Sequence, residues 1–198
     1  SSGSETSGRV LTGTQIGCLL SHRECVQRAN SAGYATILVL EDDVVLNRRF
    51  LTMHSKHFEE RPPSWQLLYL GTKQASGTTG ARDLVSPGHV WYRPNSNTWA
   101  SHAWLIKSSF FPILLNAFDP SARQPVDQVV QCLAANHAVF ASTRHLFLTS
   151  SDTDTRQALP IANEFSRWDW NVADYQAARS QPFGSVVIWG LRNNPTDD

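Results

Sequence analysis

The chain has 198 residues, which suits a single domain, and 41% of them are hydrophobic, enough for a substantial core. Its formal net charge is zero, which argues against nucleic acid as a main partner because neutralising phosphates requires an excess of Lys and Arg. No apolar run approaches the length of a membrane-spanning helix, so no transmembrane segment is predicted. With no signal-peptide pattern at the start, the expected location is the cytoplasm, or the lumen of the secretory pathway if an upstream signal has been removed.

The two ends of the chain differ in composition from its centre. Residues 1–9 are rich in Ser and Gly and are expected to be disordered or foreign to the natural protein. Residues 10–192 are predicted to form one domain, followed by a polar tail at residues 193–198. The three cysteines, Cys18, Cys25 and Cys132, match no disulfide framework and no common zinc spacing, and we expect them to be small buried residues in a reducing compartment.

Helical periodicity first occurs in residues 14–32, where Thr14 is a candidate N-terminal cap and Gly33 a C-terminal stop. Further helices are predicted at residues 47–57, 108–118, 125–136 and 168–179. Apolar or β-forming runs predict strands at residues 35–40, 65–70, 90–93, 101–106, 139–142, 146–149 and 185–189. Residues 73–86 and 151–162 are polar and are predicted to be loops. Because strands alternate with helices, we expect an α/β three-layer sandwich with a mostly parallel sheet, to which residues 91–106 are a candidate antiparallel edge.

Three carboxylates, Glu41, Asp42 and Asp43, directly follow the apolar run at residues 35–40. Like charges placed together destabilise a fold unless a cation compensates them, and the carboxyl ends of strands are where α/β sheets bind ligands. Carboxylate oxygens suit Mn²⁺ or Mg²⁺, which commonly connect a protein to a diphosphate. Glu41 and Asp43 would share one direction in an extended chain and Asp42 the other, which leaves open which of them binds metal directly. The alternative is a solvated cluster, or carboxylates that cap the next helix.

Five segments, taken in order, resemble glycosyltransferase family 25, which includes lipooligosaccharide-type and collagen galactosyltransferases. They are Gly-Cys-Leu-Leu-Ser-His at residues 17–22, the strand and acidic motif at 38–44, the strand at 65–71, residues 103–106 with 114–115 and 125–127, and Phe-Leu-Thr-Ser-Ser-Asp at 147–152. The resemblance extends from about residue 12 to about residue 155. It implies a GT-A-like fold, a UDP-sugar donor and a divalent cation. It also implies that a hexose, either galactose or glucose, is transferred with inversion to an acceptor hydroxyl. That hydroxyl would belong to a glycan, a lipid-linked molecule or a protein, as in lipopolysaccharide biosynthesis.

The chain departs from this family at its N-terminus. Family members open with a strand similar to Val-Ile-Asn-Leu, which is absent before Val10, whereas residues 186–192 near the C-terminus have a similar pattern. We therefore consider a circular permutation in which this C-terminal strand takes the missing place. The alternatives are truncation and an ordinary edge strand.

The resemblance assigns roles to individual acidic residues. Asp43 is expected to be a metal ligand essential to catalysis, supported by Glu41 and Asp42. Asp127 is a candidate general base that deprotonates the acceptor hydroxyl, or a group that positions the acceptor; the alternative is a charge that interacts with a helix N-terminus. Asp152 is expected to reach the metal or the diphosphate, unless it only forms a turn.

Further residues are predicted to bind the donor. The resemblance places Ser21 and His22 near the nucleotide sugar, although a histidine on a helix is more often a packed or capping residue. Gly71 and Thr72 follow a strand and are candidates to contact donor or acceptor.

Three functions compete at this point. The first is a metal-dependent UDP-sugar glycosyltransferase, which the intact acidic motif favours. The second is a non-catalytic relative that serves as a binding or adhesion module, which the absent opening strand favours. The third is a metal-dependent phosphate-handling enzyme, which predicts clustered histidines, whereas the histidines of this chain are scattered.

Overall fold

A computed structural model describes residues 10–47, 49–74, 83–84, 89–96, 98–149 and 189–192 of the chain. The helices in these ranges are α1 (Gly13–Ser31), α2 (Phe50–Glu59), α3 (Phe111–Ala117) and α4 (Val126–Ala134). The strands are β1 (Tyr34–Leu40), β2 (Val44–Leu46), β3 (Leu67–Tyr69), β4 (Lys73–Gln74), β5 (Asp83–Leu84), β6 (Trp91–Arg93), β7 (Thr98–Trp99), β8 (Ala103–Lys107), β9 (Val139–Ser142), β10 (Phe147–Thr149) and β11 (Trp189–Arg192). The predictions for residues 151–162, 168–179 and 185–188 fall outside the described residues. None of the described helices is long and apolar enough to cross a membrane.

The main sheet has the strand order β11-β1-β8-β3-β9-β6-β5. Strand β8 lies between β1 and β3 and runs antiparallel to both, while β3 and β9 pair in parallel. The pairs β1–β11, β6–β9 and β5–β6 are antiparallel as well. The prediction of a mostly parallel sheet was therefore wrong, since the sheet is mixed and mostly antiparallel.

The prediction was wrong about the position of β8. This strand was expected in an antiparallel edge, but it lies in the interior of the sheet. Its residues Ala103, Trp104 and Ile106 are fully buried, because side chains on both faces of this interior strand enter the core. A run of apolar residues indicates that a strand is buried, but it does not indicate which strands pair with it or in which direction it runs. Even so, β1, β3 and β9 point the same way, because β8 reverses direction between the first two.

Strand β11 pairs antiparallel with β1 and lies at one end of the described sheet. A strand that replaced the family's opening strand would be expected in the interior of the sheet. The circular permutation is therefore not confirmed.

Two hydrophobic clusters cover the two faces of the sheet, as alternation along the strands requires. Leu67 and Tyr69 of β3 enter the cluster that contains residues of α1, α3 and α4. Leu68 and Leu70 enter the other cluster, which includes Met53 of α2. The predicted layering of helices on both sides of a sheet agrees with this arrangement.

The cysteines are unpaired, as predicted, but their burial varies. Cys25 is buried, Cys18 is half-buried, and Cys132 is exposed. The prediction of burial was wrong for Cys132, because the buried stripe of α4 consists of Val126, Val129, Val130 and Ala134 and leaves Cys132 on the solvent side.

Helix α1 begins with a capping box formed by Thr12 and Gln15. The Gln15 N–H donates to Thr12 Oγ1 at 3.3 Å, and the Thr12 N–H donates to Gln15 Oε1 at 3.0 Å. Thr14, the predicted cap, is exposed in the first turn, so that prediction was wrong by two residues. After the last turn the chain leaves through Gly33 at a φ of +71°, a conformation that favours glycine.

Replacing Thr12 should therefore destabilise the protein more than replacing Thr14. We expect Thr12→Ala to lower the free energy of unfolding by about 1 kcal/mol, because it removes a side-chain acceptor for a helix N–H. Thr14→Ala should change it by less than about 0.5 kcal/mol, as is usual for an exposed position. Urea unfolding of both variants compares them, and equal losses would contradict the capping assignment.

Candidate functional site

The acidic motif lies at the sheet edge where β1 and β3 end. Glu41 follows β1, and its N–H donates to the carbonyl of His102 at 2.9 Å, which connects the motif to the start of β8. The Val44 N–H donates to the Glu41 carbonyl at 3.2 Å and closes a turn around Asp42 and Asp43. Strand β2 then pairs with β10, so the turn is fixed at both ends. The sequence-based expectation that these carboxylates follow a strand is confirmed.

A cavity of about 320 Å³ lies between this turn and helix α1. Its lining comes from α1 and from the end of β1, namely Thr14, Cys18, Ser21, His22, Cys25, Val39, Leu40, Glu41, Asp42 and Asp43. Asp42 is exposed and Asp43 is half-buried. The structure thus brings the predicted donor-binding residues Ser21 and His22 to the same cavity as the three acidic residues.

Glu41 is directed towards the protein and is surrounded by hydrogen-bond donors. Ser101 Oγ donates to Glu41 Oε1, and Cys18 Sγ approaches the same oxygen at 3.7 Å. His22 Nε2 lies 3.6 Å from it. The Glu41 side chain is only 26% exposed. These contacts provide hydrogen-bonding partners to its carboxylate from within the protein.

Sequence analysis did not identify Ser101 or Cys18 as site residues. Cys18 could have been found, because it lies four residues before His22 on one helix and so shares its face. Ser101 is 60 residues from Glu41, and no local pattern connects the two.

His22 is 5% exposed and is held by backbone carbonyls. Its Nδ1 lies 2.9 Å from the carbonyl oxygen of Cys18, and its Nε2 lies 3.2 Å from that of Ser101. A carbonyl oxygen only accepts hydrogen bonds, and a neutral imidazole has one N–H, so in either tautomer one ring nitrogen can donate to a carbonyl. The ring also packs edge-on against Trp104, at 5.0 Å between centroids.

The Cys18 thiol is held in its protonated form. Burial, the main cause, and the nearby Glu41 carboxylate raise the pKa of this thiol to about 12. Thiolate is the form that attacks electrophiles and binds metal, so Cys18 acts here as a weak hydrogen-bond donor. Potential ligand atoms of Cys18, His22 and Glu41 do lie within 4.8 Å of one another, but their contacts are those of a hydrogen-bonded cluster.

Asp127 lies in the first turn of α4, where its Oδ1 accepts the N–H of Gln128 at 2.9 Å. Its charge adds to the burial that raises the pKa of the Cys18 thiol and the pKa of the fully buried Tyr69 hydroxyl. Asp127 is therefore within electrostatic range of the cavity wall, although it does not line the cavity. The structure places it on the α1 side of the sheet, the side on which the cavity lies.

Gly71 and Thr72 lie at the same sheet edge but pack inwards. A Cβ atom on Gly71 would lie 2.2 Å from the carbonyl oxygen of Phe147 and 2.3 Å from His102 Nε2. Thr72 is buried, and its N–H donates to His145 Nδ1 at 3.2 Å. Neither residue lines the cavity, so their contact with a donor stays a prediction. Asp152 lies outside the described residues.

The cavity offers the donor atoms that a hard divalent cation prefers. Asp42 and Asp43 contribute carboxylates, and Thr14 and Ser21 contribute hydroxyls. Mg²⁺ and Mn²⁺ take oxygen ligands, commonly one or two carboxylates together with substrate phosphates. These residue types suit such a cation, and the lining also contains the Glu41 carboxylate.

Comparison with known proteins agrees with the five sequence segments. Residues 1–87 match the family model described as glycosyltransferase family 25 (LPS biosynthesis protein). The chain is 37% identical over 188 residues to the "Probable inactive glycosyltransferase 25 family member 3" of Rattus norvegicus, covering 81% of this chain and 32% of that protein. It is 40% identical over 94 residues to the "Inactive glycosyltransferase 25 family member 3" of Homo sapiens, covering 43% of this chain and 16% of that protein.

A third relative, whose name does not include the word inactive, also aligns with much of the chain. The "Procollagen galactosyltransferase 1-A" of Xenopus laevis is 26% identical over 148 residues, which is 70% of this chain and 23% of that protein. This chain spans at most 32% of the length of the three relatives. The acidic turn, the helix beside it and these similarities lead to one conclusion, that the chain belongs to glycosyltransferase family 25.

Proposed function

We propose that this chain binds a UDP-hexose together with Mn²⁺ or Mg²⁺ at the cavity between α1 and the acidic turn, and transfers the hexose to an acceptor hydroxyl with inversion. One observation carries the proposal. The turn at residues 41–43 places the carboxylates of Asp42 and Asp43 at a cavity whose lining also includes the hydroxyl residues Thr14 and Ser21. Family membership supplies the reaction class, and a GT-A-like arrangement of the domain is part of the proposal.

The acidic turn would hold the metal and, through it, the diphosphate of the donor. Asp42 and Asp43 are the residues that would bind the cation, with the Ser21 hydroxyl facing the same space. When bound, a divalent cation neutralises the charge that develops on the leaving nucleoside diphosphate. Asp152 is a further proposed ligand, and Gly71 and Thr72 are proposed to shape the donor side of the same edge.

Asp127 is the proposed general base. Inverting transfer needs a base that accepts the proton of the acceptor hydroxyl on the face opposite the leaving group. Asp127 is a candidate because it lies in the first turn of α4, on the face of the sheet that α1 also covers, and outside the cavity lining. This position leaves the cavity to the donor and would place the acceptor between the donor and α4. The acceptor is proposed to be a hydroxyl of a glycan, a lipid-linked saccharide or a protein.

A second candidate function is a non-catalytic binding module that keeps the nucleotide-sugar site and has lost turnover. The names of two relatives favour it, since the human protein is named "Inactive" and the rat protein "Probable inactive". Both candidates retain a donor site, so binding alone does not separate them. The difference lies in turnover of the donor.

Release of UDP from a UDP-hexose separates the two functions. We expect the 198-residue chain, incubated with UDP-galactose or UDP-glucose and Mn²⁺, to transfer the hexose slowly to water and faster to a suitable acceptor. UDP is released in both reactions, and none should be released in EDTA. Mass spectrometry follows the nucleotide, and equilibrium dialysis measures donor binding in the same samples. Binding without any release would favour the non-catalytic module, and neither binding nor release would reject both candidates.

A further inference from the structure

Trp99 of β7 differs from the other tryptophans whose side chains the structure describes. Trp65 is buried, and the Lys107 ammonium lies 4.6 Å from its ring centroid. Trp91 and Trp104 are fully buried and belong to the two hydrophobic clusters. Trp99 is only half-buried, and its side chain makes no hydrogen bond or ring contact with the described residues. Its indole ring is therefore available to a ligand, whereas the other three rings fill the core.

Trp99 lies in a short segment that connects helix α4 to the cavity beside the acidic turn. Directly before it, the carbonyl of Thr98 accepts a hydrogen bond from Gln131 Nε2 of α4. Two residues after it, Ser101 Oγ donates to Glu41 Oε1, and Glu41 lines the cavity. The three residues from Thr98 to Ser101 span at most about 11 Å, even when fully extended. Trp99 is therefore close to both α4 and the cavity, although it does not line the cavity itself.

The side of α4 that meets this segment also carries Asp127, the proposed general base. Asp127 and Gln131 are four residues apart, so they lie on the same face of the helix, about 6 Å apart along its axis. Gln131 contacts Thr98, the residue before Trp99. This arrangement places Trp99 beside the region between the cavity and Asp127, where the acceptor of the proposed reaction would bind.

The backbone that carries Trp99 is held by its surroundings. Strand β7 pairs antiparallel with β4, where Trp99 is opposite Lys73. Ala100, the next residue, has a φ of +104°, a conformation that residues with a Cβ rarely adopt and that persists only where the surrounding structure imposes it. Because the backbone is already fixed, a ligand that packs on Trp99 has little chain to order, which favours binding.

We propose that Trp99 is an acceptor-binding residue and that the acceptor is a saccharide, whose pyranose ring packs on the indole. The proposal rests on the proposed function, because it concerns the acceptor of that reaction. A pyranose has a face of C–H groups that packs on an aromatic ring, and hydroxyl groups at its edge that need polar partners. Trp99 provides the ring, and the face of α4 that carries Asp127 and Gln131 provides polar side chains. The side chain of a hydroxyl-bearing amino acid has no flat apolar face of this kind.

Saturation-transfer difference NMR with the methyl glycosides of glucose, galactose, mannose and N-acetylglucosamine tests the proposal without requiring turnover. In the native chain with UDP and Mg²⁺, a diamagnetic cation, at least one of these glycosides should receive saturation at its ring C–H protons. Trp99→Ala should weaken the affinity for that glycoside by about tenfold, as truncation of a tryptophan in a binding site commonly does. Trp99→Phe, which keeps an aromatic ring, should bind it within about threefold of native.

Phe58→Ala is the matched control for the loss of an aromatic ring. Phe58 is a half-buried residue of α2, and α2 packs on the opposite face of the sheet from α1 and α4. Its replacement should leave the affinity for the glycoside unchanged. UDP, followed by the saturation of its uracil protons, should bind to all three variants as it binds to the native chain, because neither Trp99 nor Phe58 lines the cavity.

Two results would overturn the proposal while leaving the proposed function intact. In the first, the native chain binds UDP with Mg²⁺ but transfers saturation to none of the four glycosides. In the second, Trp99→Ala binds the glycoside as tightly as the native chain does. Absence of UDP binding to the native chain would instead contradict the proposed function, and the proposal with it, so the UDP signal in the same samples distinguishes the two failures.

Discussion

Asp43→Asn is expected to remove metal-dependent binding of UDP while the protein stays folded. Asp43 lines the cavity beside Asp42, and its replacement removes one of the proposed metal-binding carboxylates. Loss of a ligand should weaken binding of UDP with Mn²⁺ by about tenfold to a hundredfold. The melting temperature should change by less than about 2 °C, since removing one of several clustered negative charges does not disturb the core.

Glu59→Gln is the matched control for that experiment. Glu59 is an exposed carboxylate at the end of α2 and does not line the cavity. The control removes the same charge from the chain, so UDP and Mn²⁺ should bind to it as they bind to the native protein. If Asp43→Asn lowered the melting temperature strongly and Glu59→Gln did not, the acidic turn would be structural rather than a binding site.

The largest effect on stability is expected at Gly71. In Gly71→Ala the new Cβ would lie 2.2 Å from the Phe147 carbonyl oxygen and 2.3 Å from His102 Nε2, both far inside van der Waals contact. The carbonyl belongs to the backbone of β10, which pairs with β2, so relief requires a shift of the segment that follows the acidic turn. We expect a loss of about 3 kcal/mol in the free energy of unfolding, which lowers the melting temperature by about 6–12 °C.

Gly17→Ala is the control for the glycine replacement. Gly17 lies inside α1, and a Cβ there meets nothing within 4 Å. Because alanine favours the helix over glycine, this variant should be more stable by roughly 0.5–1 kcal/mol. Calorimetric melting of the two variants compares them, and a Gly71→Ala protein as stable as the native one would contradict the close packing between β3 and β10.

Features that depend on neighbours in the sequence could be predicted well. The first helix was found within one residue at each end, because apolar periodicity and Gly33 are local signals. Its N-terminal cap was predicted at Thr14. A Thr followed three residues later by Gln is the sequence pattern of a capping box, and this pattern identifies Thr12 as the cap. The acidic motif was placed correctly after a strand, because an apolar run followed by carboxylates needs no knowledge of the rest of the fold.

Features that depend on distant parts of the chain could not be predicted. The insertion of β8 between β1 and β3 depends on pairing between strands far apart in sequence, which periodicity does not specify. The contact between Ser101 and Glu41 follows from that insertion, so it was missed for the same reason. The direction of the Glu41 side chain was missed as well, because strand alternation does not hold through the turn that begins there.

The acidic turn is proposed to form a metal-dependent site for the nucleotide of a sugar donor. Calorimetric titration of UDP into the native 198-residue chain, once with Mn²⁺ and once with EDTA, tests it most directly. We expect saturable binding with Mn²⁺ at one site per chain and an affinity at least about tenfold weaker in EDTA, since a cation shared by protein and diphosphate contributes to binding. No binding in either condition, or equal binding in both, would contradict it.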